Sequence, residues 1–358
     1  MTTTTARLDL ASALQRQPRR PLATLPTALH EATRLRDALG GPSRCPRLLI
    51  KRDDLTGLAG GGNKARKLEF LIGDAERTAA TTLITTGAAQ SNHARMTAGA
   101  ARLAGMHAEL VLTAHHPHPA DEGNLLLDRL FGARVHFVPS MDPMLAVGLD
   151  EEKVREVEAD VRASGGSPYV IPVGGSSGIG AIGYVAGTLE LCGQLDALEV
   201  APSRLYFASG SRGTQAGLAL GRHLCRASYE LRGIAVSAGE PEKIERTRRV
   251  VSEASARLGL SATVDARDFT TDQHYIGDGY GIPTAAALEA MLLLARTEAL
   301  ILDPTYTAKA MAALVEHVRA GAIPASESIV FLHTGGSPAI FAAAALTALR
   351  SSPGWQIL

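Results

Sequence analysis

The sequence predicts an α/β protein of roughly two domains, assembled from repeated strand-turn-helix units, and three observations carry that expectation. Short apolar runs end repeatedly in polar or glycine-rich turns that open helices: LLIKRDDLTGLAGGGNKARKLEF at 48–70, TTLITTGAAQSNHARM at 81–96, LYFASGSRGTQAGLALG at 205–221 and SIVFLHTGGSPAIF at 328–341. The 358 residues exceed what one small core organises. A composition of 46% hydrophobic and 20% charged residues is ordinary for a soluble globular chain.

In chain order, the opening threonines of MTTTTARLDL are expected to be disordered, and they lack the charged and apolar regions of a signal peptide. Pro18, Pro21 and Pro26 break the entry segment, and a helix is expected from Ala28 to Leu39, ending at Gly40 and Gly41. Leu48 to Ile50 reads as a strand, and Leu68, Leu71 and Ile72 give the following helix its apolar face. Strands are expected at Leu83–Thr85, Glu109–Leu112, Val135–Val138, Tyr169–Ile171, Leu205–Ala208, Gly233–Ser237 and Ser328–Leu332. Helices are expected from about Asn92, over Asn124–Leu130, and over Leu149–Val161 with Val154, Val157 and Val161 on one face. Further helices follow PVGGSSGIG and SGSRGTQ, run through to Leu258, and open at Pro283-Thr284 and Asp303-Pro304-Thr305.

Thirty-six basic and thirty-six acidic residues balance, so no net field points to nucleic acid or to a membrane surface, and no run reaches 18 apolar residues. A small-molecule partner is the expectation. Cys45, Cys192 and Cys225 are odd in number and far apart, without a C-x-x-C pair, which argues against a disulfide framework and a zinc site and suits a reducing cytoplasm. The loop His115-His116-Pro117-His118 has metal-binding side chains. Two prolines stiffen it and no acidic or cysteine ligand interleaves, so no metal is expected.

Lys64 stands at the centre of the first unit. A lysine delivered to a helix N-terminus lies where the dipole favours anions. It reads as a solvated lysine, as part of a nucleotide-binding loop, or as a Schiff-base lysine. The nucleotide loop needs G-x-x-x-x-G-K-[ST]; Gly57 and Gly62 have that spacing, but Asn63 stands where the motif needs its lysine and no serine or threonine follows it. A Schiff-base lysine needs a depressed pKa and, for pyridoxal phosphate, a phosphate cradle elsewhere. Ser209, Gly210, Ser211, Gly213 and Thr214 before a helix form such a cradle, and their glycine spacing is wrong for a dinucleotide fingerprint. Gly174 to Gly178 offer a second anion nest or a tight crossover. Gln90, Ser91, Asn92 and His93 sit at the end of a strand, where helix capping and ligand binding use the same geometry. His93 beside Arg95 reads as structural. Tyr280 and Tyr306 stand beside glycine and proline turns, where core tyrosines are less expected.

Together Gly61-Gly62-Asn63-Lys64 to Phe70, Gln90-Ser91-Asn92-His93, PVGGSSGIGAIGYV, ASGSRGTQAG, GYGIPT, LDPTYTAKAM and FLHTGG give a chain that resembles the D-cysteine desulfhydrase, L-cysteate sulfo-lyase and 1-aminocyclopropane-1-carboxylate deaminase family from about Leu25 onward. The resemblance implies a tryptophan-synthase-β-like (fold type II) pyridoxal-phosphate enzyme with two open, twisted, mostly parallel sheets flanked by helices. It implies a larger domain over 1–67 and 188–358, a smaller one inserted at 68–187, and usually a homodimer. It implies that Lys64 forms the Schiff base, Lys67 lies near the phosphate, and Ser211, Arg212, Gly213 and Thr214 cradle it. Asn92 would bond the ring hydroxyl, Tyr306 stack on the ring, and Thr334, with Thr307 nearby, approach the pyridine nitrogen. Ser91 would hold the substrate carboxylate or assist proton transfer, and Tyr280 would face the substrate.

Two departures bear on the substrate, expected to be a small amino acid. Thr307 stands where the deaminases of the family carry glutamate, and a hydroxyl cannot hold a proton on the pyridine nitrogen as a carboxylate can, which favours β-elimination over ring opening. Arg212 stands where relatives commonly have a small residue; it reinforces the phosphate site, meets an anionic substrate tail, or points to solvent. D-cysteine is the first expectation, then L-cysteate, then 1-aminocyclopropane-1-carboxylate. A non-catalytic nucleotide-binding α/β protein is the reading from a different class.

Overall fold

The computed structural model describes residues 2–114, 119–139 and 149–355. Its strands are β1 (Leu29–Glu31), β2 (Arg47–Arg52), β3 (Thr82–Ala88), β4 (His107–Ala114), β5 (Arg134–Pro139), β6 (Pro168–Ile171), β7 (Arg204–Ser209), β8 (Glu230–Ala235) and β9 (Ser328–His333). The helices are α1 (Thr3–Gln15), α2 (Thr33–Ala38), α3 (Lys64–Arg77), α4 (Asn92–Ala104), α5 (Gly123–Leu130), α6 (Leu149–Ala163), α7 (Gly178–Ala197), α8 (Gly213–Leu224), α9 (Glu240–Leu258), α10 (Ala285–Glu298), α11 (Thr307–Arg319) and α12 (Ala343–Arg350).

Two sheets form. The larger runs β1-β2-β9-β7-β8 and is parallel except for β1, with Leu49 opposite Val330 and Phe207 opposite Gly233. The smaller runs β5-β4-β3-β6 and is wholly parallel, with Thr82 opposite both His107 and Pro168. Helices cover both faces, so β7 and β9 read as continuous buried runs, as parallel strands must. On the smaller sheet Val154 and Val157 of α6 bury against Ile84 and Val111, with Val161 packed at the margin.

A division at 67/68 and 187/188 falls inside α3 and α7. These two helices pack on each other, with the backbone of Gly183 so close to Arg66 that a Cβ there would stand 2.2 Å from the Arg66 carbonyl oxygen. We propose that α3 and α7 are the seam between the larger and smaller domains.

Three expectations are corrected. The opening threonines are helical: Thr2 caps α1 by accepting from the Thr5 amide, and Leu10 and Ala13 are buried against Phe70 and the α7–α8 layer. The stretch 28–39 is not one helix, because Leu29–Glu31 pairs antiparallel with β2 and helix starts only at Thr33. The strand expected at 233–237 runs from Glu230 to Ala235, in register with β7. The triple-histidine loop lies outside the described residues. Cys45, Cys192 and Cys225 are buried free thiols. Among the described residues no helix is long and apolar enough to cross a membrane.

Candidate active site

The C-terminal ends of β3, β6, β7, β8 and β9 converge on a cavity of about 620 Å³, the place where open parallel sheets present their loops to ligands. The turn before α3 shapes its floor. Gly61 has φ +80°, and a Cβ there would fall 1.9 Å from the Asp54 carbonyl oxygen, so only glycine fits. Thr56 binds both the amide and the carbonyl of Gly62, and the Asn63 amide donates to the Thr334 carbonyl at 3.0 Å, joining this turn to the end of β9.

Lys64 opens α3 and lines the cavity, half-buried. Burial alone lowers its pKa to about 8, so roughly a tenth of its amine is neutral at pH 7, far more than for an ordinary lysine. One turn on, Lys67 is fully buried with Nζ donating to the Gly174 carbonyl at 2.5 Å; burial and then the charge of Lys64 hold its pKa well below the ordinary lysine value. Among the described residues neither amine has a carboxylate within ion-pair distance. Without an anion beside them, both amines are held toward the neutral form; an anion placed between them would favour their charged forms.

The anion cradle stands beside them. Helix α8 begins at Gly213, and a Cβ there would lie 2.4 Å from Lys67 Nζ and 2.8 Å from Ser176 Oγ. The Gly213 amide donates to Ser176 Oγ at 3.1 Å, Ser176 Oγ donates to Ser211 Oγ at 2.9 Å, and Asn63 Nδ2 donates to Thr214 Oγ1 at 3.0 Å. The two glycine-rich turns, 174–176 and 210–214, therefore form one nest with the helix N-terminus behind it and an ammonium beneath.

The opposite wall comes from β3 and α4. Ser91 caps α4 through the Ala94 amide at 3.2 Å and lines the cavity. Asn124 Nδ2 donates to Asn92 Oδ1 at 3.0 Å, which leaves the Asn92 amide nitrogen to donate into the cavity. His93 bonds Thr85 Oγ1 at 2.9 Å, while its Nδ1 is buried without a partner among the described residues; burial, then Lys64 and Lys67, push its pKa well down, so the ring is neutral.

The third wall holds Tyr306 and Tyr280, whose hydroxyls hydrogen-bond to each other with rings 5.8 Å apart at 74°. Burial raises both pKa values, Tyr306 well above the usual phenol range, so both keep their protons. The turn before Tyr306 is held by buried Asp303, which accepts from the amides of Thr305, Tyr306 and Thr307 at 2.9–3.0 Å and from Thr307 Oγ1 at 2.7 Å.

Of the residues expected from the sequence, Lys64, Ser91, Asn92, Ser211, Arg212, Thr214, Tyr280, Tyr306 and Thr334 line this cavity; Lys67 and Gly213 stand directly behind its wall. Thr307 does not line it, because its hydroxyl serves Asp303. Arg212 departs from all three of its expected roles as a side chain. Its guanidinium is buried and ties Gln215 Oε1, the Phe269 carbonyl, Thr271 Oγ1 and Glu240, which leaves its left-handed backbone (φ +74°) at the cradle. The nest expected at 174–178 contributes Ser176 to the cradle. Sequence reading missed Asn124, which lies 32 residues along the chain from the Asn92 it orients. Outside the cavity His223, Asp265 and Asp268 bring possible metal-ligand atoms together, but Arg222 and Arg267 already pair with the two carboxylates.

The family model for pyridoxal-phosphate dependent enzymes matches residues 21–335, nearly the whole chain and every wall of the cavity. The chain belongs to the pyridoxal-phosphate dependent enzyme family. Pyridoxal phosphate is its cofactor, and the two unpaired lysines beside the 174–176 and 210–214 nest suit an anionic aldehyde. Similar relatives include the D-cysteine desulfhydrases of Salmonella newport (strain SL254) and Salmonella enteritidis PT4, each 41% identical over 334 residues, 92% of this chain and 97% of the relative. Among solved structures, an ACC deaminase homologue is 35% identical with a TM-score of 0.82, covering 93% of this chain and 96% of that one. The threonine deaminase of T.th., 22% identical with a TM-score of 0.61 over 92% of this chain and 97% of that one, shares the fold. The chain is thus a fold type II lyase of this family.

Proposed function

We propose that this enzyme eliminates the thiol of D-cysteine, so that D-cysteine and water give pyruvate, sulfide and ammonia. The observation that carries this reading is the meeting of Lys64 with the 211–214 cradle in one cavity whose other walls are Ser91 and the Tyr280–Tyr306 pair. Sequence likeness to D-cysteine desulfhydrases over nearly the full length supports it.

When bound, pyridoxal phosphate supplies an electron-withdrawing ring that delocalises charge from the substrate Cα. In the proposed arrangement Lys64 would hold the aldehyde end, and Lys67, Ser211, Gly213, Thr214 and the Arg212 amide would hold the phosphate. Asn92 would donate to the ring hydroxyl, with Tyr306 and Thr334 contributing to the ring's surroundings. Ser91 would receive the substrate carboxylate. Once the substrate's amine has taken its place, the released Lys64 amine, brought toward neutrality by burial, would take the Cα proton. The Tyr280 hydroxyl, kept protonated, gives a proton to sulfur as the C–S bond breaks.

Two features favour this substrate over the alternatives. Thr307 is turned to Asp303, so no acid at that position serves the pyridine nitrogen as ring opening of 1-aminocyclopropane-1-carboxylate would require. Arg212 is bound to Glu240, so it offers no cation to the sulfonate of L-cysteate. Pyruvate release from D-cysteine, β-chloro-D-alanine, L-cysteate and 1-aminocyclopropane-1-carboxylate tests the reading. Turnover of the first two is expected; a preference for either of the last two contradicts it. The same reading places the enzyme in a reducing cytoplasm, in keeping with three buried free thiols, and makes it a homodimer, as the family resemblance implies. Sedimentation of the purified holoenzyme tests the dimer.

A further inference from the structure

Lys309, in the first turn of α11, sits where two effects oppose it. Its side chain has no exposed surface, and its Nζ has no carboxylate within ion-pair distance among the described residues. A cation in the first turn of a helix also faces the positive end of the dipole. Burial lowers its pKa to about 8 in spite of the pull of Asp303 and Asp278. Positions that break local rules in this way are commonly kept for function.

Its hydrogen bonds show what it is kept for. Lys309 Nζ donates to the carbonyl of Ile276 at 2.7 Å and to that of Gly279 at 3.0 Å. These carbonyls bracket the turn that leads into Tyr280, and residues 276–280 all line the cavity. Glycines 277, 279 and 281 each have positive φ, so the backbone alone holds this segment weakly. Tyr280 in turn hydrogen-bonds Tyr306, three residues before Lys309. A closed circuit results: α11, the ammonium, the two carbonyls, Tyr280, Tyr306 and back to α11.

We propose that Lys309 is a positioning residue for the elimination, tying the 276–281 segment to α11 so that the Tyr280 hydroxyl stays against Tyr306 and at the substrate. The proposal rests on the lyase reading given above.

The test is a double-mutant cycle on the holoenzyme with D-cysteine, using wild type, Lys309→Met, Tyr280→Phe and the pair. A misplacement of about 1 Å can cost about 100-fold in rate, so Lys309→Met is expected to lower kcat by about that factor while changing KM much less. If the lysine acts through Tyr280, the same substitution lowers kcat less than about 3-fold in the Tyr280→Phe background. An equal loss in both backgrounds overturns the proposal. Hydrogen exchange of the 276–281 amides in the cofactor-free protein reads the tether without turnover: faster exchange in Lys309→Met is expected, and unchanged exchange overturns it. Should Lys309→Met not fold, Lys309→Arg, which keeps charge and donors, is predicted to leave kcat within about 10-fold of wild type; a full loss that persists in the Tyr280→Phe background overturns the tether. A wild type that releases no pyruvate would instead sink the lyase reading, so the two failures are separable.

Discussion

Replacing Arg66 by Met tests how α3, and Lys64 with it, is anchored. Arg66 lies between Lys64 and Lys67 but points the other way, into a buried cluster. It donates to both oxygens of Asp53 at 2.8 Å, to both oxygens of Glu190 at 2.8 and 3.0 Å, and to Thr27 Oγ1 at 3.0 Å. Arg66 and Asp53 are 2% and 1% exposed, so the pair is cut off from water. Removing one partner of such a pair costs about 3–5 kcal/mol, since the other charge is left buried. Asp53 keeps Tyr184 and Thr27 as donors and Glu190 keeps Lys51, which places the expected loss at the low end, about 3 kcal/mol. With an unfolding entropy near 2.1 cal/mol/K per residue, 358 residues turn that into a fall of about 4 °C in Tm.

The pH dependence follows from the carboxylates. Burial raises the pKa of Asp53, but the charge and hydrogen bonds of Arg66 outweigh it and the net shift is downward; Glu190 behaves alike, with Lys51 contributing. Carboxylates lowered on folding add stability that is present above their unfolded pKa, near 4, and is lost as pH falls through the folded value. The gap between wild type and Arg66→Met is therefore full at pH 7 and closes below about pH 4. Adding Asp53→Asn should recover part of the loss. Thermal unfolding across pH 3–8 is the assay. A gap under about 1 kcal/mol at pH 7, or one that stays constant down to pH 3, refutes the reasoning.

Other outcomes follow from the same structure. Gly213→Ala puts a methyl 2.4 Å from Lys67 Nζ and 2.9 Å from the Ser176 backbone, so cofactor dissociation constants by titration should rise at least about 30-fold, with a fall of about 1–4 °C in Tm. In cofactor-free protein the Lys64 amine should react with an amine reagent at a rate that climbs through a midpoint near pH 8; a midpoint near 10.5, the ordinary lysine value, contradicts its burial. Asp128 is fully buried, neither oxygen has a hydrogen-bond partner among the described residues, and burial pushes its pKa up to about 8 against the pull of Arg95. A carboxyl raised on folding contributes stability below its unfolded pKa and loses it as pH rises to the folded value. Asp128→Asn should thus gain on wild type by about 2 kcal/mol or more between pH 5 and 8, and a flat difference contradicts this.

The legible parts of this fold were those whose signal is local. The strand at Leu48–Ile50, the helix from Lys64 and the polar turns at 90–93 and 209–214 announce themselves through period, glycine and capping residues, and each stands where expected. Residues 28–39 misled because Leu29–Glu31 becomes a strand only by pairing with β2, some twenty residues on. The threonine-rich start misled for the same reason, since α1 owes its order to Leu10 and Ala13 packing on distant helices. Within the site, the residue types that bind were visible, but their orienting partners were not. Nothing local to Arg212 points to Glu240, and Lys309 meets its carbonyls some thirty positions back along the chain.

The account turns on the amine at position 64, and borohydride reduction of the holoenzyme followed by peptide mapping addresses it most directly. The predicted result is a single pyridoxyl group on Lys64, with none on Lys67 although it lies one helical turn away. A label on Lys67, on another side chain, or on no peptide at all contradicts the account.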